Sequence, residues 1–281
     1  MRDQILQQTF GEERALYGLR DTDVVSCIFA GEADGESALK ESRGVRVQNC
    51  KFSLRYPLWH AKDFLMTDSQ MEVTARAPMW YTEKGTLRHS VIDGVKALRD
   101  CDDTLIEDCV IRSPEFGWKC RDVKVRRSSI ESEYLFLDSR DVEISRLNMK
   151  GKYSFQYIEN LTIENSHLDT KDAFWHAKNV TVTDSVIKGE YLGWFSEGLT
   201  LIRCHIEGTQ PLCYCKNLRL IDCTMEGTDL SFEYSDVEAE IKGSILSVKN
   251  PRSGWIRADA IGEIVRDGSV IETDCRIETR I

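Results

Sequence analysis

The sequence lacks the signals of several common protein classes. It contains no CxxC pair, only five histidines and five prolines, and no apolar run near the ~18 residues of a membrane span. No stretch has the 3.6-residue apolar period of an amphipathic helix. Residues 1–10 carry charges without an apolar core, so we expect no secretory signal, no membrane partner and a cytoplasmic location.

Basic residues are also fewer than acidic residues. The chain has 37 Lys and Arg against 47 Asp and Glu, a formal net charge of -10. Nucleic-acid binding normally requires a basic surface that neutralises phosphates. The composition therefore predicts a protein with no nucleic-acid partner.

The sequence does contain a repeat. All six tryptophans stand four residues before the end of a unit that is most often about 19 residues long. The units start at residues 22, 45, 64, 85, 104, 123, 142, 161, 180, 199, 218, 239 and 260. Such a period is typical of a solenoid, in which each unit buries its apolar face against its neighbours. We expect one domain over 1–281, with a cap and partial first coil at 1–21, coils at 22–259, and a final coil and cap at 260–281.

Within each unit, the residue types predict short strands. Positions 3 and 8 are apolar and alternate with polar residues, while Gly, Asn and Asp recur at positions 10 and 19, where sharp corners need them. The six-residue rhythm of a left-handed solenoid is missing. The fold prediction is all-β: a single-stranded right-handed parallel β-helix of about 12 coils.

The ten cysteines follow the same repeat. Five share position 6 and three share position 17, where serine or alanine stands in other coils. Neighbouring coils place Cys27 near Cys50 and Cys204 near Cys223, within reach of a bridge. We expect reduced, space-filling thiols, and the spacing gives no zinc site.

Two adjacent positions hold the candidate functional residues. Position 15 (column 15) is Lys40, Trp59, Trp80, Arg99, Trp118, Gln156, Trp175 and Trp194. Position 16 (column 16) is Glu41, His60, Tyr81, Asp100, Lys119, Asp138, Tyr157, His176, Phe195 and Tyr214. Charged members of column 15 are costly to bury unpaired, which favours an outward column. The alternative is a buried aromatic ladder without functional meaning.

An outward pair of columns would suit a carbohydrate. Aromatic faces stack on sugar rings, and neighbouring ionisable groups serve as acid and base. The predicted catalytic residues are Arg99, Asp100, Lys119 and Asp138, and the predicted substrate-binding residues are Lys40, Glu41, Trp59, His60, Trp80, Trp118, Trp175 and His176. The insertion at 30–36 is expected to border the cleft.

The spacing of the acids allows two interpretations. Asp100 and Asp138 are two coils apart, about 9 to 10 Å, which is nearer the inverting than the retaining geometry of glycosidases. Lys119 between them would keep both ionised. The alternative is an ordinary solvated ladder with salt bridges from Asp100 through Lys119 to Asp138.

Three segments carry a resemblance to a known family: residues 11–17 (GEERALY), 35–41 (GESALKE) and 57–61 (PLWHA). With the repeat, they make the chain similar to an uncharacterised family of pectate-lyase-like right-handed β-helix proteins of gut-type bacteria, the domain-of-unknown-function family numbered 3737. The resemblance implies the fold and a loose association with carbohydrate. The polygalacturonase and pectate-lyase site motifs do not match, so no catalytic residue is transferred from those enzymes.

Three functions remain open from the sequence. The first is a lyase or hydrolase acting on an oligosaccharide or polysaccharide. The second is a non-catalytic protein that binds a glycan or another protein, and the third is a self-associating solenoid that forms a homodimer through its aromatic strip. No cofactor is expected, with calcium as the one ion that acidic residues of this kind would bind.

Overall fold

The computed structural model describes residues 2–32 and 35–280, and every regular element in these ranges is a β-strand. The fold is a parallel β-solenoid of about 14 turns with the predicted spacing near 19 residues. Its contacts divide into two compact units, Met1–Glu143 (unit 1) and Ile144–Ile281 (unit 2). No helix of the described residues is long and apolar enough to cross a membrane.

Unit 1 contains three kinds of strand, numbered in chain order. The first strands of its coils are β1 (Asp3–Leu6), β3 (Thr22–Val25), β5 (Arg46–Gln48), β7 (Lys62–Thr67), β10 (Glu83–Arg88), β13 (Asp102–Glu107) and β15 (Arg121–Arg126). The second strands are β2 (Thr9–Phe10), β4 (Ile28–Phe29), β6 (Lys51–Phe52), β8 (Gln70–Met71), β11 (Val91–Ile92), β14 (Val110–Arg112) and β16 (Ser129–Glu133). Two third strands occur, β9 (Met79–Trp80) and β12 (Leu98–Arg99), while β17 (Arg140–Ser145) runs across the unit boundary.

Unit 2 contains first and second strands of the same kinds. Its first strands are β19 (Glu159–Glu164), β21 (Lys178–Thr183), β23 (Glu197–Ile202), β25 (Leu218–Thr224), β26 (Asp236–Lys242), β28 (Ser253–Ala258) and β30 (Arg276–Thr279). Its second strands are β18 (Asn148–Lys152), β20 (His167–Lys171), β22 (Val186–Lys188), β24 (His205–Glu207), β27 (Ser244–Lys249) and β29 (Ala260–Val265).

Pairing is parallel and holds the repeat register. Leu87 pairs with Met66 of the preceding coil and with Ile106 of the following one, and all three side chains are fully buried. Because side chains alternate across a strand, each coil directs positions 1 and 3 into a common core. The apolar columns that the sequence predicts at positions 3 and 8 are therefore the core of each unit over the regular coils.

The last coils depart from the expected register. A β-bulge lies between Leu220 and Cys223, and Ala239 pairs with Ile256 in a coil shorter than the regular repeat. The prediction that all six tryptophans share one repeat position is therefore wrong for Trp255. This residue lies in a first strand opposite Glu238 instead of in column 15. Leu246 stands at position 8 of the unit that starts at residue 239, so the sequence predicts that it points inward; it is 57% exposed for the same reason.

All ten cysteines are free and buried, as positions 6 and 17 predict for eight of them; Cys213 and Cys275 are buried as well. Cysteine and serine at position 6 accept hydrogen bonds from the coil before. The backbone N–H of Cys27 donates to the Cys50 sulfur at 3.3 Å, and that of Cys50 donates to the Ser69 hydroxyl at 3.0 Å. Burial raises the pKa of Cys50 to about 11, so its thiol stays protonated at neutral pH.

Candidate functional site

Column 15 of unit 1 is a continuous stack of flat groups. The Trp59 and Trp80 rings lie 5.6 Å apart and are nearly parallel, with the Lys40 amine 5.8 Å from the Trp59 ring. The Arg99 guanidinium lies between two indoles, 4.7 Å from the Trp80 ring and 4.5 Å from the Trp118 ring. A cation sandwiched between two aromatic faces is held by the ring quadrupoles.

Hydrogen bonds fix the edge of each indole as well. Every column 15 tryptophan in this stack donates its Nε1–H to a backbone carbonyl of the next coil: Trp59 to Ala77 at 2.7 Å, Trp80 to Lys96 at 2.7 Å and Trp118 to Tyr134 at 2.8 Å. Arg99 also pairs with Glu115 at 3.3 Å. Arg99, predicted to be catalytic, thus has its guanidinium faces and one nitrogen occupied by the protein itself.

Unit 2 has a shorter stack of the same kind. The Trp175 and Trp194 rings are 5.4 Å apart and nearly parallel, and they donate to the carbonyls of Tyr191 and Gln210, each at 2.7 Å. The tryptophans of column 15 are half-buried in both units. The structure therefore matches neither alternative drawn from the sequence: the column is at the surface, yet Trp80 has both ring faces covered by its neighbours, which leaves no indole face there for a sugar ring.

Column 16 is the exposed partner of this stack. In unit 1 each of its residues from Glu41 to Asp138 is solvent-exposed and has a positive φ, between 51° for Asp100 and 60° for Tyr81. The left-handed conformation costs an L-residue about 1–2 kcal/mol. Backbone hydrogen bonds between coils accompany this conformation. For example, the Asp100 N–H donates to the Trp118 carbonyl oxygen at 2.9 Å. This turn directs column 16 outward while position 17 returns to the core.

The charged side chains at the centre of column 16 are not engaged in ion pairs with the described residues. Asp100, Lys119 and Asp138 form no ion pair within 4.0 Å with any described residue, contrary to the salt-bridge alternative. Two positions further along the same coils, opposite charges do pair: Lys62 with Glu83 at 2.6 Å, and Arg121 with Asp102. The Arg121 guanidinium holds the pKa of Asp102 below its usual value, whereas column 16 leaves its charges to solvent.

The coils before Asp100 carry an aromatic pair in column 16. The His60 and Tyr81 rings stack at 4.9 Å with an angle of 18° between their planes. In unit 2 the column is aromatic throughout: Tyr157, His176, Phe195 and Tyr214 stack at 4.8 to 5.0 Å. Tyr157 is 54% exposed and Phe195 is 44% exposed. Of this ladder, only His176 is among the predicted substrate-binding residues, although Tyr157, Phe195 and Tyr214 occupy the same repeat position.

Two further features bear on the predicted chemistry. Among residues 2–32 and 35–280, no group of three or more His, Cys, Asp or Glu side chains is arranged to hold a metal ion. A groove of about 460 Å³ lies away from column 16 and is lined by Leu54, Arg55, Val73, Thr74, Arg76 and Val95. The insertion expected to border the cleft approaches this groove through the Glu36–Arg55 ion pair at 3.1 Å, while its Ala33 and Asp34 lie outside the described residues.

Sequence reasoning missed Asp172, which lies between the strand β20 and Trp175. Its residue surface is 6% exposed, and no described side chain is hydrogen-bonded to its carboxyl group. Burial, with a smaller contribution from Glu190, raises the pKa of Asp172. A polar residue at one position of one coil breaks no repeat pattern, so nothing in the sequence signals its burial.

The family model described as "Protein of unknown function (DUF3737)" matches residues 3–278. The chain belongs to this family. That result confirms the family predicted from the three N-terminal segments and the repeat. No curated protein gives a significant sequence match to this DUF3737 chain.

Solved structures with a similar fold include carbohydrate-active enzymes and an adhesin. A GH87 α-1,3-glucanase catalytic domain in complex with tetrasaccharides has 11% identity and a TM-score of 0.34, covering 99% of this chain and 64% of that one. A Family 28 exopolygalacturonase of Yersinia enterocolitica has 7% identity and a TM-score of 0.31, covering 98% and 71%. The surface adhesin PfbA of Streptococcus pneumoniae has 7% identity and a TM-score of 0.30, covering 98% and 91%.

The DUF3737 chain thus spans 64% of the length of the glucanase domain. Similarities at these identities and TM-scores concern the solenoid fold, and they carry no argument about activity.

Proposed function

We propose that the protein binds a carbohydrate chain along column 16 of unit 1. The observation that supports this is the row of exposed, outward side chains from Glu41 to Asp138, whose charged groups have no ion-pair partner among residues 2–32 and 35–280. Carboxylates accept and ammonium groups donate hydrogen bonds, so Asp100, Lys119 and Asp138 offer both to sugar hydroxyls. Hydrogen bonds to charged groups are worth about 1.5–3 kcal/mol each.

Column 15 has a supporting role in this proposal. The indoles of Trp59, Trp80 and Trp118 hold the corner rigid through their stacking and their Nε1–H bonds, so column 16 is displayed at a fixed spacing. A rigid binding row loses less conformational entropy when a ligand binds. We place Lys40 and Arg99 with this support, because each contacts an indole face.

Unit 2 offers a row of its own with a different chemistry. His176 lies exposed between Tyr157 and Phe195, 5.0 Å from each ring, and Trp175 backs it from column 15. The ladder presents ring edges and polar tips, which suit the hydroxyls and C–H groups of a sugar chain. We include His176 in the proposed site for this reason.

The test is a binding measurement by titration calorimetry with neutral gluco-oligosaccharides and with acidic uronate oligosaccharides. For a sugar that binds, Lys119→Gln should weaken affinity roughly tenfold or more, since the loss of one charged hydrogen bond exceeds about 1.4 kcal/mol. Asp100→Asn and Asp138→Asn should each weaken it in the same direction.

Lys150→Gln is the matched control, because Lys150 is an exposed lysine on the second strand β18 and lies outside both columns. Equal affinities for the Lys119 and Lys150 variants, or no binding by any sugar of the panel, would contradict the proposal.

Cleavage of the bound chain is a second candidate, favoured by the placement of carboxylates on both coils beside Lys119. In that case Asp100 and Asp138 would exchange protons with the glycosidic oxygen and with water or a ring C–H. Mass spectrometry of each bound oligosaccharide after long incubation separates the two. Shortened products that disappear with Asp100→Asn and Asp138→Asn indicate an enzyme, and intact ligand indicates a binding protein.

A further inference from the structure

Position 12 of the repeat (column 12) carries a carboxylate in both units. In the coils that start at 85, 104, 142, 161 and 180, its residues are Lys96, Glu115, Tyr153, Asp172 and Tyr191. Glu115 in unit 1 has two cationic partners, Lys96 and Arg99, each at 3.3 Å. Lys96 precedes Glu115 in column 12, and Arg99 occupies column 15 of the same preceding coil. Two fixed repeat positions therefore supply the cations that balance this carboxylate.

The same two positions beside Asp172 hold no cation. Tyr153 stands in place of the column 12 lysine, and Gln156 stands in place of the column 15 arginine. Gln156 donates its side-chain amide N–H to the backbone carbonyl oxygen of Asp172 at 3.1 Å, not to the carboxylate. The preceding residue in sequence, Lys171, pairs with Glu190 at 2.8 Å. Within residues 2–32 and 35–280, Asp172 thus forms no ion pair within 4.0 Å.

Asp172 is also almost completely buried. The residue is 6% exposed, whereas Tyr153, Gln156 and Tyr191 are half-buried, so the carboxylate lies just beneath surface side chains. Burial raises the pKa of Asp172. A buried carboxylate is costly unless a cation or hydrogen-bond donors compensate it. The unit 2 carboxylate therefore lacks the partner that its unit 1 counterpart receives from the chain.

We propose that Asp172 binds the guanidinium group of a small organic cation, which takes the place that Arg99 takes beside Glu115. The Arg99 guanidinium covers the Trp118 ring at 4.5 Å while one of its nitrogens pairs with Glu115. A planar guanidinium suits both contacts, because it stacks on aromatic faces and forks onto carboxylates. An ammonium group is a point charge without a stacking face, so it fits this arrangement less well.

Unit 2 supplies the corresponding aromatic ring. Trp175 stands in column 15 of the coil that contains Asp172, as Trp118 does in unit 1. One face of Trp175 stacks on Trp194 at 5.4 Å, and its other face is directed towards the coil of Gln156. The ligand would displace the Gln156 amide and break its hydrogen bond to the backbone. In return it forms charge-assisted hydrogen bonds to a carboxylate, which are roughly twice as strong as neutral ones.

The test is a ligand-observed NMR titration of the full chain with ethylguanidinium, with the ionic strength held constant by sodium chloride. We expect saturable binding with a dissociation constant on the order of 1 mM, and weaker binding of butylammonium. Asp172→Asn keeps the shape of the side chain and removes its charge, so it should weaken affinity about tenfold or more. Asp169→Asn is the matched control, because Asp169 is exposed on β20 and loses the same charge.

A second variant supplies the cation from within the chain. Gln156→Arg restores the residue type that stands beside Glu115 in unit 1, so it should abolish ethylguanidinium binding. Gln70→Arg adds the same charge at an exposed position of β8 and should leave binding unchanged. Circular dichroism confirms that each variant is folded.

An absence of saturable ethylguanidinium binding would overturn the proposal. So would equal affinities of the Asp172→Asn and Asp169→Asn variants, full binding by the folded Gln156→Arg variant, or tighter binding of butylammonium than of ethylguanidinium. None of these results depends on whether column 16 binds a sugar.

Discussion

At the scale of single residues, the position of a side chain in its coil decides whether a charge is internal or available. Arg99 and Lys119 are both cations on the third side of neighbouring coils, one position apart in register. Arg99 lies between two indoles and next to Glu115, whereas Lys119 has no ion-pair partner among the described residues. The sequence predicts a catalytic role for both residues. The structure distinguishes them, because Arg99 is held within the indole stack whereas Lys119 is available to bind a ligand.

Asp172 provides a residue-scale prediction about stability. Its folded-state pKa is raised, so the folded protein binds a proton that the unfolded chain releases. The stability that this group contributes is present below its unfolded pKa, about 3.9, and is lost as pH rises through the folded pKa. Asp172→Asn should therefore stabilise the protein at pH 7, by about 1–3 kcal/mol, and change it little near pH 4.

Urea unfolding at the two pH values measures this difference, with Lys171 and Glu190 beside Asp172 left unchanged. Asp169→Asn, at an exposed position of β20, is the matched control and should have no such pH-dependent effect. A variant of Asp172 that is less stable at pH 7 would show that the carboxylate has a stabilising partner.

At the scale of elements, close packing between coils depends on a few glycines. Gly189 has a φ of +142°, and a Cβ at this position would lie 1.4 Å from the Thr170 carbonyl oxygen of the coil before. Gly189→Ala should therefore destabilise unit 2 by about 2–4 kcal/mol, since the backbone must separate locally. Chemical denaturation gives the value.

Gly227→Ala is the comparison, because Gly227 also has a positive φ, +73°, but nothing lies within 4 Å of its Cβ. Its cost should be the left-handed strain alone, about 1–2 kcal/mol. Similar losses for both variants would mean that conformational strain, not coil contact, sets the requirement for glycine.

The strands themselves were predictable from the sequence because inward positions recur once in every coil. Val24 and Ile187 are buried as their positions require. The prediction fails after the bulge at Leu220, because a bulge and a short coil shift the count without altering residue types. Tryptophan orientation was not predictable either, since a half-buried stack satisfies both the apolar rings and the charged members of column 15.

At the scale of the whole molecule, cross-coil ion pairs predict an acid-sensitive protein. The pKa values of Asp102, Asp108, Asp184 and Asp236 are lowered by hydrogen bonds from arginines one coil on. Depressed carboxyl pKa values contribute stability that is present above the unfolded pKa and is lost as pH falls through the folded values. The melting temperature should fall from about pH 5 towards pH 2.

Calorimetry over that pH range is the measurement, repeated at about 1 M salt, where screening should flatten the dependence because these pairs are solvent-exposed. A melting temperature that stays constant to pH 2 would mean that the pairs contribute nothing measurable. Removing one pair with Asp184→Asn should reduce the slope slightly.

The uniform register of the regular coils also has an evolutionary consequence. Duplicating or deleting one whole coil within β19 to β24 returns every later side chain to the same depth, so a homologue can change length by a whole coil in one genetic event. A change of a single residue instead moves core side chains to the surface throughout the coil that receives it. Length differences among relatives should therefore cluster at whole-coil steps, with smaller insertions confined to the corners between strands.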